Sequence, residues 1–104
     1  MNVKALNSTS VQVWWKPPNP QYVNGINQGY KIQAWRGETV SRIVAVPPSL
    51  FDSIAKQTTV VTNLEKYTEY NMTVLCFTNP GDGPTSNPIL VRTEEDSERK
   101  FKIL

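Results

Sequence analysis

Residues 70–78 read Tyr70-Asn71-Met72-Thr73-Val74-Leu75-Cys76-Phe77-Thr78. Tyr70, Met72, Val74 and Cys76 alternate with Asn71, Thr73, Leu75 and Phe77. A period of two belongs to a β-strand, because successive Cβ atoms point to opposite faces of a pleated backbone. The stretch is read as a strand that turns Tyr70, Met72, Val74 and Cys76 inward.

The same period recurs on either side. In residues 10–15, Val11, Val13 and Trp15 face one way and Gln12 and Trp14 the other, a half-buried strand with a tryptophan on each face. Pro17, Pro18 and Pro20 end it, because proline cannot donate to a ladder. Asn24-Gly25 signals a turn. In residues 30–35, Tyr30, Ile32 and Ala34 oppose Lys31, Gln33 and Trp35, and Arg36-Gly37-Glu38 turns the chain into a strand over 40–46. Pro47-Pro48 stops that strand. Residues 49–57 form a long loop in which Leu50, Phe51 and Ile54 either lie over the core as a lid or sit on one short helical turn. Strands at 3–6, 58–62 and 89–93 and a turn-rich loop at 79–84 complete the pattern. Seven short strands separated by turn signals predict an antiparallel β-sandwich. No helical period runs ten residues, and no internal repeat occurs. The domain is expected to occupy residues 2–93. Residues 94–104 are read as a charged linker or appended tail, with Phe101, Ile103 and Leu104 outside any period.

Composition narrows the function. At 104 residues there is room for one core. With no histidine, the chain lacks an imidazole base, a Ser-His-Asp triad and an imidazole metal ligand. Its single cysteine, Cys76, allows neither an internal disulfide nor a zinc knuckle. No apolar run approaches the roughly 20 residues of a membrane helix. No signal-peptide pattern opens the chain, which reads as a fragment of a longer protein. The net charge of +2 is small and scattered, so no nucleic-acid partner is expected. Asp52, Glu65, Glu69 and Asp82 fall in loops and turns without an evident partner, and Ser53 with Lys56 is a chance pairing. No phosphate or calcium loop is present. The expectation is no enzyme, no cofactor, no metal and no small-molecule substrate.

Five motifs fall in order along residues 2–93: Trp15-Lys16-Pro17-Pro18, Gly29-Tyr30-Lys31-Ile32, Leu64 six residues before Tyr70, Gly81-Asp82-Gly83 with Ser86, and Val91-Arg92-Thr93. Together they resemble the fibronectin type III domain. The resemblance implies a seven-stranded, two-sheet, immunoglobulin-like sandwich. It implies structural roles for Trp15, Tyr30, Ile32, Leu64, Tyr70, Met72, Val74 and Cys76. Tyr70 would be a tyrosine corner, its hydroxyl bonded to upstream backbone. Trp15 would fill the space that a disulfide occupies in immunoglobulins. Met72 stands where the second immunoglobulin cysteine would be, and Cys76 reads as a small buried apolar residue. The family usually has a proline-rich lead before its first strand, whereas this chain starts at Asn2 inside it, so a short, poorly covered edge is expected.

Residues 67–78, followed by Pro80-Gly81-Asp82-Gly83-Pro84, are similar to repeats of the sidekick cell-adhesion proteins. Val91-Arg92-Thr93-Glu94-Glu95-Asp96 is also similar to repeats of neuronal receptor-type tyrosine phosphatases. Both are single-pass membrane proteins with long extracellular arrays. The resemblance implies a non-catalytic spacer or interaction module in an adhesion ectodomain, on the extracellular side of the plasma membrane. Its partners would be neighbouring domains of the same chain and another adhesion protein, bound homophilically or heterophilically, with no direct membrane contact. The alternatives are a phosphatase ectodomain repeat and an intracellular scaffold repeat. A cytokine-receptor module fits less well, since disulfides and Trp-Ser-x-Trp-Ser are absent.

Two sequons, Asn7-Ser8-Thr9 and Asn71-Met72-Thr73, make Asn7 and Asn71 N-glycosylation candidates, Asn71 on the outward phase. Trp35, Leu75, Phe77 and Leu90 also take the outward phase of the larger sheet and form a candidate interface. The competing reading is a cross-strand ladder, with Trp35 on Arg42 or Arg36 and the Lys31 stem over Phe77. Trp14 takes the outward phase of the other sheet, either exposed to a preceding domain or covered by a neighbouring Lys or Thr stem. Pro80-Gly81-Asp82 and Arg36-Gly37-Glu38 both depart from Arg-Gly-Asp, and Gly81 and Gly83 are expected to supply positive φ for a tight turn.

Overall fold

A computed structural model describes residues 1–17, 26–48 and 57–95. Eight strands occur among them: β1 (Asn2–Ala5), β2 (Val11–Trp15), β3 (Gly29–Arg36), β4 (Thr39–Val46), β5 (Gln57–Val61), β6 (Glu69–Thr78), β7 (Gly81–Asp82) and β8 (Ile89–Arg92). One sheet has the order β1-β2-β5. The other has the order β4-β3-β6-β7, with β8 also on β6. Every pairing is antiparallel. The expected Asn24-Gly25 turn, the Leu50, Phe51 and Ile54 loop, and the tail beyond residue 95 lie outside the described residues.

The alternation read from the sequence becomes the two inner faces. Val11, Val13, Trp15 and Val61 come from the smaller sheet, and Tyr30, Ile32, Ala34, Tyr70, Met72 and Val74 from the larger, with Leu64 between them. Cys76 is half-buried and packs against this core. The Trp15 and Tyr30 rings lie 5.3 Å apart at 59°, a tilted arrangement favoured by the ring quadrupoles.

The count of eight strands rather than seven comes from the loop after β6. Gly81 and Asp82 pair with Thr78 and Phe77. The Gly83 N–H then donates to the Cys76 carbonyl at 2.8 Å and the Ser86 N–H to the Val74 carbonyl at 2.9 Å. The chain therefore follows β6 all the way to β8, interrupted where Pro84 and Pro88 lack an N–H. Gly81 has φ +142°, as expected, but Gly83 is there for a different reason. A Cβ on Gly83 would stand 2.8 Å from the Cys76 carbonyl oxygen. Gly37 has φ +62° and leads the two-residue turn between β3 and β4, the position that favours glycine in such hairpins.

At the opposite end of β6, the Tyr70 hydroxyl accepts the Glu65 N–H at 2.8 Å, so the tyrosine corner is present. Thr93, the last residue of the Val91-Arg92-Thr93 motif, is 1% exposed and completes the corner. Its hydroxyl donates to the Glu65 carbonyl at 2.7 Å and accepts the Thr68 N–H at 2.9 Å. Thr93→Val keeps the shape and deprives both groups of their partner. Unfolding by denaturant is expected to show a loss of about 1–2 kcal/mol. A variant as stable as the parent would mean that water replaces the hydroxyl. The Glu94 N–H donates to the Asn7 carbonyl at 3.1 Å and its carbonyl accepts the Tyr67 N–H at 3.2 Å. The first residue of the expected linker is thus tied to the sandwich.

Candidate functional site

Alternation along β3, β4, β6 and β8 leaves an outward face whose rows follow from the register. Val40, Trp35, Asn71 and Leu90 stand side by side across the four strands. The next row is Ile43, Gln33 and Thr73, and the next Ala45, Lys31 and Leu75. Phe77 then stands opposite Asp82.

Two polar clusters organise these rows. The Trp35 indole N–H donates to Thr73 Oγ1 at 2.9 Å, and Thr73 Oγ1 donates to Gln33 Oε1 at 2.9 Å. Lys31 Nζ reaches Asp82 Oδ1 at 2.8 Å and lies 5.3 Å from the Phe77 ring centroid. Attraction between an ammonium and a ring face is worth about 0.5–1 kcal/mol at such exposed sites.

These contacts break up the expected apolar patch. Leu75 is only 6% exposed, with Lys31 directly opposite it. Phe77 is half-buried beneath the same ammonium. Leu75 is therefore too buried to serve as the expected interface residue, and Phe77 keeps only a partly exposed ring under the ammonium. Half of the expected ladder, Lys31 over Phe77, is present; Trp35 is held by Thr73 instead of an arginine. Trp35 remains half-buried, and Leu90 is 59% exposed. They flank Asn71, one on each side.

Below this row, Arg92 bonds Glu69 Oε1 at 3.1 Å and its guanidinium lies 5.0 Å from the Tyr67 ring centroid. The hydrogen bond that Arg92 donates to Glu69, with the carboxylate's charge, raises the Arg92 pKa further. Trp14 is half-buried between Asn2 and Thr58, nearer the covered of its two readings than the exposed one. Asn7 is exposed in the turn after β1, and its Oδ1 accepts the Thr9 N–H at 2.9 Å, an Asx turn.

An open cleft of about 610 Å³ lies between Trp15, Tyr30 and Cys76 and the segment from Pro80 to Ser86. Its two titratable inner groups are turned away from chemistry at neutral pH. Burial pushes the Cys76 thiol above its ordinary value of 9.0, and a thiol that keeps its proton is a poor nucleophile. Burial likewise raises the Tyr30 phenol, partly offset by the hydrogen bond from Asn27 Nδ2 at 3.0 Å. Among the described residues no three His, Cys, Asp or Glu side chains are grouped to hold a metal.

Both shifts make a pH prediction. An acid whose folded pKa is raised stabilises the fold below its unfolded pKa and loses that contribution as pH rises through the folded value. Stability is expected to fall from about pH 9 upward as Cys76 and then Tyr30 are forced to ionise. Cys76→Ala should remove the first part of that fall in urea titrations across this range. A profile unchanged by the substitution would sink the assignment.

Thr73, Asp82 and Thr93 fall within motifs read from the sequence, yet their contacts with Trp35, Lys31 and Glu65, and that of Gln33 with Thr73, were not legible there. The only available signal was their polarity on alternating strands, which does not say what stands opposite.

The fibronectin type III domain family matches residues 1–92, and the chain belongs to that family. It is 51% identical to protein sidekick of Drosophila melanogaster over 92% of its length, and 50% identical to sidekick-2 of Gallus gallus over 92%. It spans about 5% and 4% of those relatives. Among solved structures it resembles a type III domain of human contactin 1, with 25% identity, a TM-score of 0.71, and 92% of this chain and 75% of that one covered. The FN5 domain of Drosophila Lar is 30% identical, with a TM-score of 0.63 and 89% of each chain covered.

Proposed function

We propose that this chain is a non-catalytic spacer and interaction module in the ectodomain of a multi-domain, single-pass adhesion protein at the cell surface. The observation that carries this reading is 51% identity to sidekick across 92% of the chain, within a relative about twenty times longer. The geometry suits a bead in an array. The chain enters β1 at Asn2, beside Trp14, and leaves at Glu94, bonded to Asn7 at the far end of β1. Entry and exit at opposite ends let the two paired sheets set a fixed length between neighbouring domains. Leu6 and Tyr67 are exposed at the exit end and offer apolar contacts to a following domain. Weak contacts with a second adhesion protein, of the same or another kind, gain avidity when many repeats act together.

An antibody raised against this chain tests the reading on cells expressing the parent protein. Labelling of intact cells is expected. Labelling only after permeabilisation would replace the ectodomain reading with an intracellular scaffold.

A further inference from the structure

We propose that Asn71 carries an N-linked glycan whose first N-acetylglucosamine packs between Trp35 and Leu90, so that this strip of the sheet is covered by sugar rather than by protein. The proposal rests on the extracellular reading in one respect: the chain must pass through the secretory pathway.

Three observations converge on Asn71. It opens the sequon Asn71-Met72-Thr73, and Met72 points into the core while Asn71 faces out. Its side-chain amide has no hydrogen-bond partner among the described residues, unlike those of Asn7 and Asn27. The register sets it directly opposite Trp35 on β3 and Leu90 on β8. Directly opposite side chains in antiparallel pairs have Cβ atoms about 4.5–5.5 Å apart, the reach of the first sugar attached to Nδ2. The bond from the Trp35 indole to Thr73 fixes the ring, so an aromatic surface is already in place. The C–H face of a pyranose and an exposed leucine both gain by removing such a surface from water. At the other end of the face Lys31 and Asp82 already lie over Leu75 and Phe77, while Ile43 on β4 stays 52% exposed and outside the reach proposed for this sugar.

The chemistry is ordinary transfer to an asparagine. Nδ2 displaces the pyrophosphate of a lipid-linked oligosaccharide at its anomeric carbon. The C1–N bond forms and the C1–O bond breaks. The bonding pair leaves with the lipid pyrophosphate, and one amide proton passes to a base of the transferase. Thr73, which the transferase must reach, is 5% exposed once folded. Transfer therefore precedes folding of β6 into the sheet.

The test is to secrete this chain from mammalian cells and map glycan occupancy at each asparagine by peptide mass. Occupancy at Asn71 is expected. An unmodified Asn71 in folded, secreted chain overturns the proposal, and with Asn7 occupied it leaves the cell-surface reading intact. Permeabilisation-dependent labelling would overturn that other reading whatever the masses are. Packing is tested separately by trimming the glycan to one sugar and comparing Tm with Asn71→Gln. A gain of about 4 °C is expected, and it should vanish when the same pair is compared in a Trp35→Ala background. An equal gain with and without Trp35 overturns the packing.

Discussion

Gly29→Ala is expected to lower stability by about 3–5 kcal/mol, combining backbone strain and a clash that the fold cannot relieve. Gly29 opens β3 with φ +140°, a conformation that L side chains rarely adopt. A Cβ there would stand 2.4 Å from the Val46 carbonyl oxygen and 3.2 Å from two carbons of the Phe77 ring. The carbonyl belongs to backbone that pairs with Tyr30, so retreat would pull β4 from β3 where the ladder begins. The Gly29 N–H is also held by Asn27 Oδ1 at 2.8 Å, and the Gln28 N–H by the Phe77 carbonyl at 2.9 Å. Nothing at this point is free to move. Gly37→Ala provides the comparison. It has φ +62° but nothing within 4 Å of its Cβ, so it carries strain alone, about 1 kcal/mol. Urea titration of both variants separates the two causes. Equal losses would mean that the Val46 contact gives way easily and the close approach is not what selects glycine.

The period of two made the faces legible, and the faces made the core legible. Val11, Val13, Trp15, Ile32 and Met72 lie where alternation puts them. Tyr70 could be placed through the resemblance to the family's tyrosine corner, with which the need of a buried phenol for a partner agrees. What alternation does not contain is register. It assigns a residue to a face but not to a lateral neighbour, and lateral neighbours decide exposure here. Leu75 and Leu90 share the outward phase, yet Leu75 is covered and Leu90 stands open. The difference is that Lys31 stands opposite Leu75 and reaches on to Asp82, 51 residues away in sequence, whereas Leu90 lies on β8, the far side of Asn71 from Trp35. Trp35 was placed on the right face with the wrong neighbours, because Thr73 is one diagonal step away and Arg42 is not on its row. β7 was missed for a related reason. Two residues carry no period, and only the turn geometry brings them against Thr78 and Phe77.

Trp15→Ala is expected to be the most damaging change at a single side chain, a loss of about 4–5 kcal/mol. Trp15 is 3% exposed and is the largest residue on the inner face of the smaller sheet. Its ring meets Tyr30 of the opposite sheet, so it joins the two layers as well as filling them. β2 is the central strand of its sheet, paired with β1 and β5. That pairing limits how far the backbone can sink into a cavity, which places the cost at the upper end of the range for large-to-small substitutions. A domain of ordinary stability, about 5–15 kcal/mol, would be left marginal. Trp15→Phe tells volume from hydrogen bonding. The Trp15 indole N–H is buried without a partner among the described residues, so phenylalanine forfeits packing but no bond, and a loss below about 2 kcal/mol is expected. If phenylalanine costs as much as alanine, the indole N–H has a partner that matters and the wedge account fails. If alanine costs under 2 kcal/mol, the two sheets are joined by something other than this ring. The outcome bears on function directly, because a spacer that opens between its sheets no longer holds its neighbours at a fixed distance.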